Sequence, residues 1–215
     1  MATKKIVYLD RHGEAEHNLK PPPELWTELN ARLTSLGHQQ AESLARRASE
    51  MPIDVLVSST RIRAVQTAEH ISRRINRPII QEDLFVEIRP PSGFEGKVWL
   101  DPEVQRMHDA WGATKYTHER VLDGENFPDT LQRGYSALQY LENRPEEHIM
   151  VVTHGLFKRI MVAIVLLGDV VSAAAVRRME YSLRTVNTGI TILEYDPGDQ
   201  YSKWSLITWN NHSHL

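Results

Sequence analysis

The 215-residue chain contains no cysteine. This excludes disulfide cross-links, thiolate nucleophiles and cysteine-ligated zinc, so covalent catalysis would need a different nucleophile. Long apolar runs are also missing. The most apolar stretch, Ile160 to Leu167, follows Lys158 and Arg159 and falls far short of the ~20 residues of a membrane-spanning helix. Near the N-terminus, Ile6-Val-Tyr-Leu9 is too short for a signal-peptide core. A soluble, cytoplasmic protein is expected. Charge of one sign is not in excess either: 25 Lys and Arg face 28 Asp and Glu, for a net charge of -3. No general basic field attracts nucleic acid or a membrane, so an anionic ligand would need a local cluster of arginines. Ten histidines are present, but none shows the H-x-x-x-H or H-E-x-x-H spacing of a helical metal site. No metal or other cofactor is expected.

What is present suits a globular protein, with 41% hydrophobic and 25% charged residues. Short apolar runs at Ile6–Leu9, Val55–Val57, Pro78–Ile80 and Ile149–Val152 read as buried strands. Between them, apolar residues recur at helical spacing over Leu36–Met51, Ile62–Ile75, Asp129–Leu141 and Leu156–Leu167. Ser58, Ser59 and Thr60 are good caps for the second of these helices. Two late strands, Gly189–Tyr195 and Trp204–Trp209, flank an Asp196-Pro-Gly-Asp199 turn. Strands alternating with helices predict a three-layer α/β/α sandwich whose central sheet is mixed but mainly parallel. Residues 1–215 read as a single domain. Three prolines at 21–23 mark a stiff connection. Periodicity breaks down over residues 88–127, which read as an insert or lid with a short helix around Glu103–Trp111. The aromatic residues there (Phe94, Trp99, Trp111, Tyr116) suggest an enclosed pocket for a modest-sized ligand.

Two strand ends carry the same His-Gly pair, at His12-Gly13 and His154-Gly155, and a third leads into Arg61 and Arg63. In open α/β sheets ligands sit at the carboxyl ends of the strands. Gathered there, these residues would make an oxyanion cage suited to phosphate.

The segment Asp10-Arg11-His12-Gly13-Glu14-Ala15-Glu16-His17-Asn18 resembles the R-H-G-E-x-x-x-N signature of the histidine phosphatase (phosphoglycerate mutase-like) superfamily. Further likenesses follow in the family's order: Leu33-Thr34 to Ala41, Ser59 to Ala68, Gly124-Glu125-Asn126, and Val151 to Gly155. The resemblance covers about residues 5–195. It implies that His12 is the nucleophile, forming a phosphohistidine, with its other ring nitrogen held by a backbone carbonyl. It also implies that Arg11, Arg63 and His154 bind the phosphoryl oxygens, helped by Asn18 and Gly155. Glu87 matches the family's general acid, which protonates the leaving oxygen and then activates water. Glu95 in Phe94-Glu95-Gly96 is a rival, although its spacing from the preceding strand fits less well. Glu14 reads as a structural partner, His17 as pocket wall, Arg61 as a rim residue, and Lys158-Arg159 as an exposed helix face.

The implied activity is metal-independent hydrolysis of a phosphate monoester by a phosphoric monoester hydrolase. The partner is a small phosphorylated substrate, with a homodimer left open. The alternatives are a phosphoglycerate mutase-type phosphotransferase and a non-catalytic phospholigand-binding protein. The mutase pattern R-H-G-E-S-x-W-N is absent, which favours hydrolysis; the complete set of core residues argues against loss of catalysis.

Overall fold

In a computed structural model, residues 3–20, 24–26 and 29–215 are described. The expected proline-stiffened connection at 21–23 lies outside them. Six strands form one sheet: β1 (Lys5–Arg11), β2 (Val55–Ser58), β3 (Ile79–Gln81), β4 (His148–Thr153), β5 (Ile190–Tyr195) and β6 (Trp204–Asn211), in the order β3-β2-β4-β1-β5-β6. The three pairings among β3, β2, β4 and β1 are parallel, whereas β5 and β6 are antiparallel additions. The sheet is therefore mixed and mainly parallel, as expected.

Both faces of the centre of the sheet are covered, so the inner strands β2 and β4 are buried and largely apolar instead of alternating with exposed polar residues. On one face Tyr8, Leu56, Met150 and Val152 pack on α1 (Ser35–Ala48) and α2 (Ile62–Ile75). Small residues at the helical repeat (Ala41, Ala45 and Ala48 on α1; Ala64 and Ala68 on α2) let these two helices approach closely. On the other face Val7, Leu9, Val57, Ile149 and Val151 meet α4 (Phe127–Glu142) and α5 (Gly155–Leu167). Val176 of α6 (Ala173–Ser182) joins the same cluster. That helix was not expected from the sequence, because Val176 is the one residue it buries among those described and it leaves almost no apolar stripe.

Local chemistry sets several helix ends. The Thr34 side chain accepts a hydrogen bond from the Gly37 amide to start α1, and Asn126 and Asp129 form a reciprocal capping box for α4. The hydroxyls of Ser58, Ser59 and Thr60 do not cap α2, contrary to expectation. Its N-cap is Arg61, while Thr60 donates to Asp83 and Ser59 is bonded to His154.

Residues 88–127 hold the helix α3 (Pro102–Thr114), begun by an Asp101 cap and a first-turn proline. An aromatic cluster organises this region: Trp26 lies 4.8 Å from Trp99 and 5.4 Å from Phe94, ring to ring, with His108 5.0 Å from Trp99. Beneath it, the buried carboxylate of Glu125 takes two hydrogen bonds from Arg133 of α4, at 2.7 and 2.8 Å. The Arg133 guanidinium also stacks over Phe157 and donates to the Leu84 and Val86 carbonyls, at 3.0 and 2.7 Å. Removing one partner of such a pair strands a buried charge. Glu125→Ala is expected to cost about 3–5 kcal/mol in urea unfolding, whereas joint replacement of Glu125 and Arg133 by apolar residues costs much less than the two single changes summed.

Candidate active site

The parallel register pairs Arg11 with Thr153 and Ser58 with Val152, so three strand ends finish at one edge of the sheet. The residues just past those ends are His12, Ser59 and His154. The His12 amide donates to the Thr153 carbonyl at 3.0 Å, and the two imidazoles lie 5.0 Å apart. The loop after His12 is tight: a Cβ on Gly37 would overlap the Glu14 carbonyl oxygen, so the start of α1 packs backbone to backbone against this turn.

His12 is 2% exposed. Its Nδ1 lies 2.7 Å from the Gly13 carbonyl, a bond in which the ring must donate. This fixes the tautomer and leaves Nε2 as a lone-pair atom, which accepts from Arg63 Nε at 3.2 Å. Burial, then the charges of Arg63 and Arg11, hold the His12 pKa well below its usual value, so the ring is neutral at neutral pH. His154 is neutral for the same reasons, burial first and Arg63 second. Its Nε2 is bonded to Ser59 Oγ at 2.7 Å, while its buried Nδ1 has no hydrogen-bond partner among the described residues.

Arg63, 1% exposed in the first turn of α2, faces Nε2 of the His12 ring. Arg11 reaches the cleft with Nη1 donating to the Thr185 carbonyl at 2.9 Å, and Gly155 packs against its side chain. Glu87 sits opposite. Its carboxylate accepts the amides of Leu156 and Phe157 in the first turn of α5, at 3.0 and 2.9 Å, and that of Ile88. Arg11, His12, Glu87 and Gly155 line a cleft of about 490 Å³ that also has His17, Leu156, Arg159, Glu180, Arg184, Thr185 and Val186 in its wall; Arg63 and His154, both buried, are not among its lining residues.

The remaining candidates are placed as follows. Asn18 is not among the residues lining this cleft: its Oδ1 accepts from the Ala15 amide and its Nδ2 donates to His17 Nε2. Glu95 lies elsewhere and holds the Leu29 amide and the Asn30 side chain. Glu14 accepts from the Thr34 hydroxyl at 2.8 Å, within the turn. Phe94, Trp99, Trp111 and Tyr116 do not line the cleft either; the first three pack into the aromatic cluster and Tyr116 donates to Glu180. Lys158 and Arg159 do not decorate an exposed helix face. Lys158 is fully buried and Arg159 forms cleft wall. Helical phase carried that signal, since Lys158 follows His154 by one turn and Arg159 follows Gly155 by one turn. Among the described residues no group of three or more histidines and carboxylates is arranged to hold a metal, and no helix is long and apolar enough to cross a membrane.

An α/β sheet whose converging strand ends gather two neutral histidines and two arginines is an arrangement whose chemistry suits an oxyanion. The chain belongs to the histidine phosphatase superfamily (branch 1), whose family model matches residues 7–212. It is 27% identical over 209 residues to the "Uncharacterized phosphatase PhoE" of Bacillus subtilis, covering 97% of this chain and 96% of that protein. It is 28% identical over 207 residues to the "Probable phosphoglycerate mutase GpmB" of Escherichia coli, covering 94% and 89%. Among solved structures, Bacillus stearothermophilus YhfR superposes with a TM-score of 0.76 at 26% identity, covering 98% of each chain. A putative α-ribazole-5'-P phosphatase from Escherichia coli reaches a TM-score of 0.77 at 21% identity, covering 96% of each, a likeness of fold.

The buried histidines make stability acid-sensitive. Burial and the nearby arginines lower His17 from 6.5 to about 3. Below pH 6.5 the unfolded chain takes up a proton there that the folded chain does not. Stability is therefore intact above that pH and falls as pH drops. His17→Gln should lose about 2 kcal/mol less than the wild type between about pH 7.5 and about pH 5, as read by urea denaturation at both values.

Proposed function

We propose that this protein is a metal-independent phosphatase that hydrolyses small phosphate monoesters through a phosphohistidine on His12. One observation carries the reading: the His12 ring is neutral, with Nδ1 tied to the Gly13 carbonyl and the Nε2 lone pair turned toward the guanidinium of Arg63. A histidine so held is a nucleophile in the required tautomer, aimed at donors that suit a phosphoryl group.

In the first step Nε2 attacks phosphorus in line while Arg11, Arg63 and His154 stabilise the charge on the three equatorial oxygens. Nδ1 keeps its proton on the Gly13 carbonyl as the ring becomes cationic. Glu87, fixed by the first-turn amides of α5, gives its proton to the leaving oxygen. In the second step the Glu87 carboxylate takes a proton from a water molecule that attacks the phosphohistidine. Inorganic phosphate leaves and His12 is restored. The arginines supply the positive charge that a metal ion provides in other phosphatases. The Gly155 amide, at the start of α5, adds a helix-end donor to the phosphate site.

Phosphate release from p-nitrophenyl phosphate in excess EDTA tests the scheme. The wild type is expected to turn over, His12→Ala to fall to background, and Glu87→Gln to lose about 10²–10⁴-fold in kcat. Turnover that survives His12→Ala would sink the proposal. With phosphoglycerates as substrates, an isomerised phosphorylated product in place of free phosphate would instead identify a mutase.

A further inference from the structure

Two ionisable side chains lie directly behind this cleft with no part in the scheme above. Asp10, the residue before Arg11 on β1, is completely buried, and neither of its carboxyl oxygens has a hydrogen-bond partner among the described residues. Lys158 of α5 is completely buried as well. Its Nζ donates to the Gly189 carbonyl at 2.9 Å and lies 5.3 Å from the centre of the Trp209 ring. An ammonium group in such a place carries a large desolvation penalty, which an apolar residue of the same length would avoid.

The carbonyl that Lys158 holds belongs to a strap, residues 185–189, that braces the end of β1 from the side. The Thr185 carbonyl accepts Arg11 Nη1 at 2.9 Å, Asn187 Nδ2 donates to the His12 carbonyl at 2.9 Å, and the Thr188 amide donates to the Arg11 carbonyl at 2.8 Å. The far end of the strap is close-packed, because a Cβ on Gly189 would collide with the side chain of Asn210. Asn210 in turn accepts from the Val186 amide at 3.0 Å. The strap is thus pinned by Asn210 from β6 and by Lys158 from α5, with His214 also bonded to the Thr188 hydroxyl, and its hydrogen bonds to the end of β1 fall on Arg11 and on His12 just past it.

We propose that Lys158, with the buried Asp10 as its electrostatic partner, is a positioning residue for phosphoryl transfer: it pins the 185–189 strap through the Gly189 carbonyl, and the strap sets Arg11 and His12. The inference rests on His12 carrying the phosphate. Misplacing a reacting group by about an ångström can cost about a hundredfold in rate, so a pin two contacts from the nucleophile is felt in kcat. The pair also makes the pin sensitive to pH. Burial lowers Lys158 to about 7, Asp10 works against that shift, and Arg11 and Arg159 add to it. Burial raises Asp10 well above the usual carboxylate range, with Lys158 opposing. The two therefore titrate as a pair. As pH rises through neutrality Lys158 loses its charge, and its charge-assisted bond to Gly189 weakens.

The test is the pH dependence of kcat and KM between about pH 5.5 and about pH 9, by phosphate release from p-nitrophenyl phosphate. Wild type, Lys158→Met and Asp10→Asn are compared, with near-ultraviolet circular dichroism to verify folding. Lys158→Met should lower kcat at about pH 6.5 at least about tenfold, with KM changed by less than about threefold, and should lack the alkaline limb near neutrality. Asp10→Asn, close to isosteric, removes the group that raises Lys158. It should move the alkaline limb to lower pH. A folded Lys158→Met with wild-type kcat and an unchanged alkaline limb overturns the proposal. If that variant does not fold, an unmoved limb in Asp10→Asn overturns it alone. Wild-type protein without EDTA-resistant, His12-dependent turnover would instead sink the earlier reading, since a His12-dependent phosphatase indifferent to Lys158 refutes only the pin.

Discussion

The register between β1 and β4 is the constraint on which the rest of the site depends. Because Arg11 pairs with Thr153, the chain leaves both strands at the same level, and the amide of His12 is captured by the carbonyl of Thr153. A slip of one residue would turn every side chain of β1 to the opposite face, exchanging the Val7 and Leu9 side for the Tyr8 side. β1 and β4 are buried on both faces, so the register is enforced by the whole core and not by the site itself. Placement of the two imidazoles 5.0 Å apart is in this sense a by-product of packing apolar residues far from them.

Burial then does the chemical work on the histidines. A cage of arginines in water would be screened and mobile; here Arg63 is 1% exposed, and its charge helps keep both nearby rings unprotonated. The same burial that would stabilise an incoming phosphate therefore keeps the proposed nucleophile in its reactive form. It also creates the acid lability of the fold, since each neutral buried histidine is a proton that the unfolded chain accepts more readily.

The sequence made the parts of the site that sit at strand ends legible, because a strand ending in His-Gly is a local pattern. His12, His154 and Arg63 come together as expected, and the parallel sheet follows from apolar runs spaced by helical periods. Parts that depend on tertiary contact were not legible. Lys158 looks like an ordinary helix-surface cation until the fold sets Asp10 and the Gly189 carbonyl around it. Ser59 and Thr60 have the composition of caps, but the Thr60 hydroxyl turns to Asp83, and the Ser59 hydroxyl bonds His154 while accepting only the amide of the N-cap residue Arg61. Spacing from the preceding strand favours Glu87 over Glu95, but only the fold shows how their surroundings differ: one carboxylate meets the start of α5, the other ties down residues 29 and 30. The helix α6 escaped notice for want of an apolar stripe.

The two proposed reacting groups are held by different frames. His12 is fixed by the sheet and by the 185–189 strap. Glu87 is fixed by the first turn of α5 through its carboxylate and by Arg133 through the backbone carbonyls just before it, and Arg133 in turn depends on Glu125 at the edge of the 88–127 region. The frames meet at the start of α5, where His154 is the N-cap and Leu156 and Phe157 supply amides to Glu87. A disturbance of the Glu125–Arg133 pair would therefore reach the proton donor before it reached the nucleophile. A disturbance of the strap would do the reverse. Two supports that share α5 and converge on its N-terminal end explain how a cleft open to solvent can still hold its reacting groups in register.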